Sequence, residues 1–209
     1  MDQIVLVATW LMLGYAIVGS VDGVYYHLYK FKLYAHPESR YEHILHTIRV
    51  LTFPLVLLLL FVKNYGGIYL WFGTGLVIVD LLVETLDIYS EEMSRKHLGG
   101  LPRTEYYIHM MTNGLHFSSM AMIIAAKPLF AWKLNSETVL SPYPEFTSMI
   151  SVVLTPGIVI LFILHVYLYL FPQGKLKIGS YWAWNLHLFY LQHQVQCAIS
   201  KTYFICFII

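Results

Sequence analysis

The sequence contains one short pattern twice, and both copies combine a carboxylate with an imidazole. Residues 40–46 and 103–109 each read Arg-x-Glu-x-x-x-His, so Glu42 is followed by His46 and Glu105 by His109. Side chains four residues apart lie on one face of an α-helix. Carboxylate and imidazole groups are donors that suit iron, manganese or zinc. The two copies therefore predict paired metal ligands on two different helices.

More ionisable residues stand near the ends of the neighbouring apolar runs. Such groups cost free energy within a membrane unless they are paired or hydrated, and they usually mark function. In an up-down-up-down bundle, the ends of helices one and three lie beside the beginnings of helices two and four. The ionisable residues at these adjoining helix ends form the predicted metal site: Asp22, His27, Glu42, His46, Glu84, Asp87, Glu105 and His109. Weaker candidates for the same site are His43, Glu91 and His116.

The composition is that of a membrane protein. Of the 209 residues, 58% are hydrophobic and 12% are charged, with a mean hydropathy of +0.61, whereas soluble domains carry about 25% charged residues. The formal net charge of +1 gives no indication of nucleic-acid binding. The two cysteines, Cys197 and Cys206, form neither a disulfide framework nor a thiolate metal site.

Five apolar runs are long enough to cross a bilayer, which takes about 20 helical residues. They are residues 4–29, 43–63, 66–90, 105–131 and 147–171. We therefore predict an all-α polytopic membrane protein in which residues 1–177 form a single transmembrane domain. Residues 178–209 are apolar and aromatic with polar interruptions, and they are either a sixth span or an interfacial segment.

The loops predict the orientation. Eight lysines and arginines lie in the connections near 30–40, 95–103 and 173–177, against three in the opposite connections. The excess of basic residues marks the cytoplasmic side. The N-terminus is accordingly expected outside, with the main polar loops in the cytoplasm.

Two hairpins of similar design are predicted within the domain. Residues 22–46 and 84–109 form a weak internal repeat, which favours an antiparallel four-helix bundle with the fifth helix outside it. Ser39 and Glu42 have the spacing of a capping box. At the end of the third helix, Glu91, Glu92, Arg95 and Lys96 have the pattern of a solvated helix terminus.

The preferred function is a metal-dependent, di-iron membrane oxidoreductase that acts on a lipid, isoprenoid or quinone and takes electrons from a partner protein. The ligand logic is similar to that of ferritin-like di-metal proteins, which use Glu-x-x-His where this chain has Glu-x-x-x-His. Zinc at the same site would instead favour a lipid hydrolase. A second class is a haem b electron-transfer subunit, with His46 and His109 or His43 and His116 as axial ligands. A third is a non-catalytic membrane subunit or ion carrier.

Overall fold

The computed structural model describes residues 2–172, and these are nearly all helical. The five α-helices are α1 (Asp2–Ser20), α2 (Arg40–Val56), α3 (Gly67–Arg95), α4 (Arg103–Ala125) and α5 (Glu145–Leu170). Helix α1 continues as a π-helix over Val21–Lys30, and α2 continues as a π-helix over Leu57–Val62. No β-strand occurs between residues 2 and 172. The expectations for residues 178–209 lie outside the described residues.

Four helical segments have the length and apolar character needed to cross a membrane. They are Asp2–Ala35, Pro37–Val62, Gly67–Leu98 and Glu145–Leu170. The sequence-based prediction of a helical membrane protein agrees with this finding. Helix α4, with 23 residues, has the length but is not among the four. Polar side chains such as Thr112, His116 and Ser119 are spread along α4 and buried, so a fifth span stays a prediction, as does the orientation.

The helices pack so that apolar and polar residues occupy different halves of the bundle. Helix α1 runs along α4, α2 runs along α3, and α5 packs against α2 and α1. One half is filled by an apolar core, which includes Met12, Phe53, Leu57, Leu70 and Met120. The ionisable residues lie in the other half, towards the end of α1 and α3 and the beginning of α2 and α4. The packing pairs α1 with α4 and α2 with α3, an arrangement that the predicted internal repeat also allows.

The connections next to the ionisable half hold two helix ends together. The Ser39 hydroxyl donates a hydrogen bond to the carbonyl oxygen of Ser94, at 2.9 Å, and does not cap α2. The predicted capping box is therefore wrong, because Ser39 and Glu42 are both engaged by residues at the end of α3. Helix α3 ends at Arg95 and is followed by a 3-10 turn over Lys96–Leu98. The chain then turns at Gly99 and Gly100, whose φ values of 95° and 91° favour glycine.

At the opposite end of the bundle, Lys127 ties two loops together. Its Nζ donates to Asn64 Oδ1 at 2.8 Å and to the Tyr65 carbonyl oxygen at 3.0 Å, and it lies 4.9 Å from the ring centroid of Tyr143. Burial lowers the pKa of Lys127 to about 8, because the ammonium form loses hydration. Burial also raises the pKa of Tyr143, which stays protonated.

Candidate metal centre

Helix α1 and its π-helical continuation together form helix one, and the π-helical part places Asp22 and His27 on the same side of the backbone. In an α-helix, residues five apart are rotated by about 140° from each other. The i→i+5 repeat of the π-helix over Val21–Lys30 brings them close to alignment. Asp22 and His27 are both buried, with 7% and 1% of their surfaces exposed. Local π geometry is therefore what makes this pair available to one site.

Helices α2 and α4 contribute the two repeated pairs as the sequence predicts. Glu42 and His46 project from the first two turns of α2, and Glu105 and His109 from the first two turns of α4. Glu42 and Glu105 have no exposed surface, and both histidines are buried. The spacing of four residues keeps each pair on the face that lines the bundle interior.

One group of ligands joins helix one to α4. His109 Nε2 lies 2.7 Å from Asp22 Oδ1, and His27 Nε2 lies 3.5 Å from both Asp22 Oδ1 and Glu105 Oε1. One donor atom from each of these four residues lies within 4.8 Å of the others. This geometry can hold a metal ion.

A second group joins helix one to α2. His27, Glu42 and His46 also offer donor atoms within 4.8 Å of one another. Glu42 Oε1 lies 3.8 Å from His27 Nε2 and 3.9 Å from His46 Nε2. From α3, Asp87 Oδ2 lies 3.0 Å from His46 Nε2, so Asp87 borders this second group.

The two groups share His27. Its ring centroid lies 4.1 Å from that of His46 and 5.5 Å from that of His109. Each repeated histidine also faces an aspartate from the helix packed beside it: His109 faces Asp22, and His46 faces Asp87. The cluster therefore provides two adjacent positions of similar chemistry, with His27 between them.

Arg95 connects the two repeated glutamates. It has no exposed surface, and its guanidinium donates hydrogen bonds to Glu42 Oε2 and to Glu105 Oε1. The sequence predicts a solvated helix end here, which is wrong for Arg95 and for Glu91, whose Oε1 lies 2.8 Å from His109 Nδ1. The spacing Asp80, Glu84, Asp87, Glu91 and Arg95 marks one continuous face of α3, a signal that could have placed Arg95 inside.

A second polar layer lies deeper in the bundle, around Arg49. Its guanidinium lies 3.3 Å from Glu84, 3.7 Å from Asp80 and 3.9 Å from Asp87. The structure thus places Glu84 beside Arg49 and in neither ligand group. His116 also belongs to this layer, because its Nε2 lies 2.9 Å from Asp80 Oδ2.

Arg49 could not be predicted from the sequence, because an arginine within a long apolar run gives no periodic signal of its own. The remaining weak candidate, His43, lies apart from both ligand groups. Its ring stacks on that of His165, with centroids 5.0 Å apart, and its Nε2 lies 3.1 Å from the His165 carbonyl oxygen. His43 therefore joins α2 to α5.

By formal charge the cluster is strongly acidic. With every carboxylate ionised and the histidines neutral, seven buried carboxylates and two guanidinium groups give a formal excess of five negative charges. The carboxylates are Asp22, Glu42, Asp80, Glu84, Asp87, Glu91 and Glu105. Buried charge of one sign is costly unless cations or protons compensate it. The site is therefore suited to bind cations.

Several nitrogen and oxygen atoms of the cluster have no hydrogen-bond partner, which also fits a metal site. Although His109 Nε2 is close to Asp22, its N–H direction is not aligned for a hydrogen bond. Within residues 2–172, the following buried donor atoms lack a hydrogen-bond partner: Asp22 Oδ1, Glu42 Oε1, His46 Nε2, Glu105 Oε2, and both ring nitrogens of His27 and His109. Such atoms cost about 1–3 kcal/mol each unless something binds them. Lone pairs that converge in this way match a metal site.

Comparison of the chain with protein-family models, with curated proteins and with solved structures gave no match. The haem alternative finds no support in the geometry. His46 and His109 face carboxylates and not each other, and His43 is stacked on His165 while His116 faces Asp80. The buried His, Asp and Glu groups are compatible with a metal ion.

Proposed function

We propose that this protein is a membrane-embedded oxidoreductase with a di-metal centre, and that the metal is iron. The observation that carries the proposal is the pair of adjacent buried ligand groups that share His27. Asp22, Glu105 and His109 would hold one ion, and Glu42 and His46 would hold the other, with His27 between them. These ligands would come from three helices, helix one, α2 and α4, whereas ferritin-like di-iron proteins take theirs from four. The carboxylate and histidine chemistry is the same.

Contacts behind the proposed ligands support this assignment. Arg95 donates to one oxygen of Glu42 and to one oxygen of Glu105, and the other oxygen of each carboxylate has no hydrogen-bond partner within residues 2–172. Glu91 lies 2.8 Å from His109 Nδ1, and Asp87 lies 3.0 Å from His46 Nε2. Groups that fix the orientation of ligands are a regular part of metal centres.

The chemistry would be oxidation of an apolar molecule by dioxygen. The iron pair would supply the redox capacity, while the protein would bind the substrate and exclude water. Two hydrogen atoms from the substrate, with two electrons and two protons from a donor protein, reduce one dioxygen molecule to two waters. The buried, mainly apolar bundle supports a hydrophobic substrate such as a lipid, isoprenoid or quinone.

Variants test this proposal through metal content and dioxygen consumption. Glu42→Gln, His46→Ala, Glu105→Gln and His109→Ala should each lose metal and reductant-dependent dioxygen uptake while still inserting into membranes. Glu92→Gln is the control, since Glu92 is exposed on the same level of α3. A second control is His43→Ala, which removes a buried histidine outside the ligand groups. Full metal content in all four ligand variants would contradict the proposal.

The zinc hydrolase and the non-catalytic subunit make different predictions. Zinc in place of iron, with no dioxygen uptake, would favour hydrolysis. No metal, with loss of expression in every variant, would favour a structural or ion-carrying role for the cluster.

A further inference from the structure

An elongated cavity opens between helix one, α2 and α5 and ends at the ligand cluster. Its volume is about 500 Å³, within the range of roughly 300–1,000 Å³ typical of small-molecule sites. Asp22 and His46 line one end, and Tyr15, Phe53 and Leu154 line the other. The lining runs from Leu154 to His165 along α5, about 16 Å at the rise of an α-helix.

Most of the cavity wall is apolar, and two glycines in the wall leave part of the cavity unfilled. Ile17, Val50 and Leu161 line the cavity together with Gly23 and Gly157. A Cβ atom added at Gly23 or Gly157 would meet no other atom within 4 Å. These two glycines therefore border free space, which a larger side chain could fill without a clash.

The end of the cavity at the cluster presents polar atoms that need partners. Two guanidinium nitrogens of Arg49 are buried and have no hydrogen-bond partner in the part of the chain that the structure describes. Asp22 and His46, which would bind metal under the proposed function, line the same end of the cavity. This end can therefore receive a polar group, while the rest of the cavity is lined mainly by apolar side chains.

The charge of the cluster restricts what that polar group can be. Arg49 already has three carboxylates within 4 Å. The excess of five negative charges would still be an excess of one after two divalent ions had bound. An anionic headgroup would be repelled here.

We infer that the cavity binds a neutral, single-chain amphiphile, with its polar end against Asp22 and His46 and its tail extending towards Leu154. That the polar end is the group that reacts rests on the proposed function, whereas the binding of the amphiphile does not. The inference thus narrows the substrate to uncharged molecules with one long tail, such as a long-chain alcohol or a prenylated quinone.

Photo-crosslinking tests the binding directly. The probes are a long-chain alcohol with a diazirine at the end of its chain and the alkyl sulfate of the same chain, which is anionic at every pH. With protein in lipid nanodiscs, the alcohol should label peptides that contain Tyr15 or Leu154. The sulfate should label them about tenfold less, because of like-charge repulsion.

Two glycine variants and one ligand variant complete the test. Gly157→Leu should abolish labelling because it fills the cavity, whereas Gly114→Leu, which is also exposed with open space around its Cβ, should leave it unchanged. Glu105→Gln should lose metal but keep labelling, which separates this inference from the proposed function. Equal labelling by the sulfate, or labelling unaffected by Gly157→Leu, would overturn the inference.

Discussion

Arg95 donates a hydrogen bond to Glu42 from a position with no solvent exposure, although the two residues are 53 positions apart in the chain. The same guanidinium reaches Glu105. One cation therefore sets the position of both repeated glutamates, and it does so from the end of α3, which packs along α2.

Removal of this cation should destabilise the protein and impair metal binding. In Arg95→Leu, Glu42 and Glu105 would lose their buried partner, which typically costs about 3–5 kcal/mol. We expect a large drop in the unfolding midpoint in detergent and reduced metal content. Arg95→Lys should recover only part of both, because an ammonium cannot span two carboxylates as a guanidinium does. The control is Arg103→Gln, because Arg103 is exposed at the start of α4. An Arg95→Leu variant as stable as this control would contradict the role of Arg95.

Both histidine–aspartate contacts should matter for metal binding. Asp87 lies 3.0 Å from His46 Nε2, and Asp22, itself a proposed ligand, lies 2.7 Å from His109 Nε2. Double-mutant cycles of metal affinity should give a coupling of about 0.5–3 kcal/mol for each pair. The control cycle joins Asp87 to His43, which lies outside both groups and should show no coupling. Additive effects within either pair would show that its contact does not matter for metal binding.

Gly73 should be intolerant of a side chain, whereas Gly75 should accept one. A Cβ at Gly73 would lie 2.7 Å from Leu60 Cδ2, and a Cβ at Gly75 would meet no atom within 4 Å. Gly73→Ala should therefore destabilise the packing of α3 on the π-helical end of helix two, by about 1–3 kcal/mol. Gly75→Ala should be neutral or slightly stabilising, because alanine favours the helix. Thermal unfolding in detergent measures both, and equal effects would contradict this packing.

Lys127 should make stability depend on pH in the mildly alkaline range. Its pKa is about 8 in the folded protein, against an ordinary value of 10.5. Between these two values the folded form has released a proton that the unfolded form retains, so a rise in pH stabilises the folded form. The unfolding midpoint should increase from pH 7.5 to 9.5 in the wild type relative to Lys127→Met. The same pH profile in both proteins would contradict the lowered pKa.

The sequence predicted the helical segments and most of the residues that cluster in the bundle because both depend on local spacing. Long apolar runs define helices of membrane length, and the Glu-x-x-x-His pairs occupy one face of α2 and α4. The shared position of Asp22 and His27 could not be read from α-helical spacing, because it depends on the π-helix. The change from i→i+4 to i→i+5 backbone hydrogen bonds depends on packing and not on local spacing.

The roles of Arg95 and Arg49 could not be predicted from local pattern either. Arg95 lies beside exposed Glu92 and Lys96, so its neighbours suggest a solvated terminus. Its burial comes with contacts to Glu42 of α2 and Glu105 of α4, which are distant in the sequence. Arg49 pairs with carboxylates that are 31 to 38 residues away in the chain. Contacts at such distances are set by tertiary structure. They also place Glu84 in the polar layer around Arg49.

Elemental mass spectrometry of detergent-purified protein, together with an optical spectrum of the same sample, decides whether the cluster holds a di-iron centre. We expect about two irons per chain without a Soret band, as for other carboxylate- and histidine-bound di-iron centres. Metal at background level in protein purified without chelator would contradict this expectation.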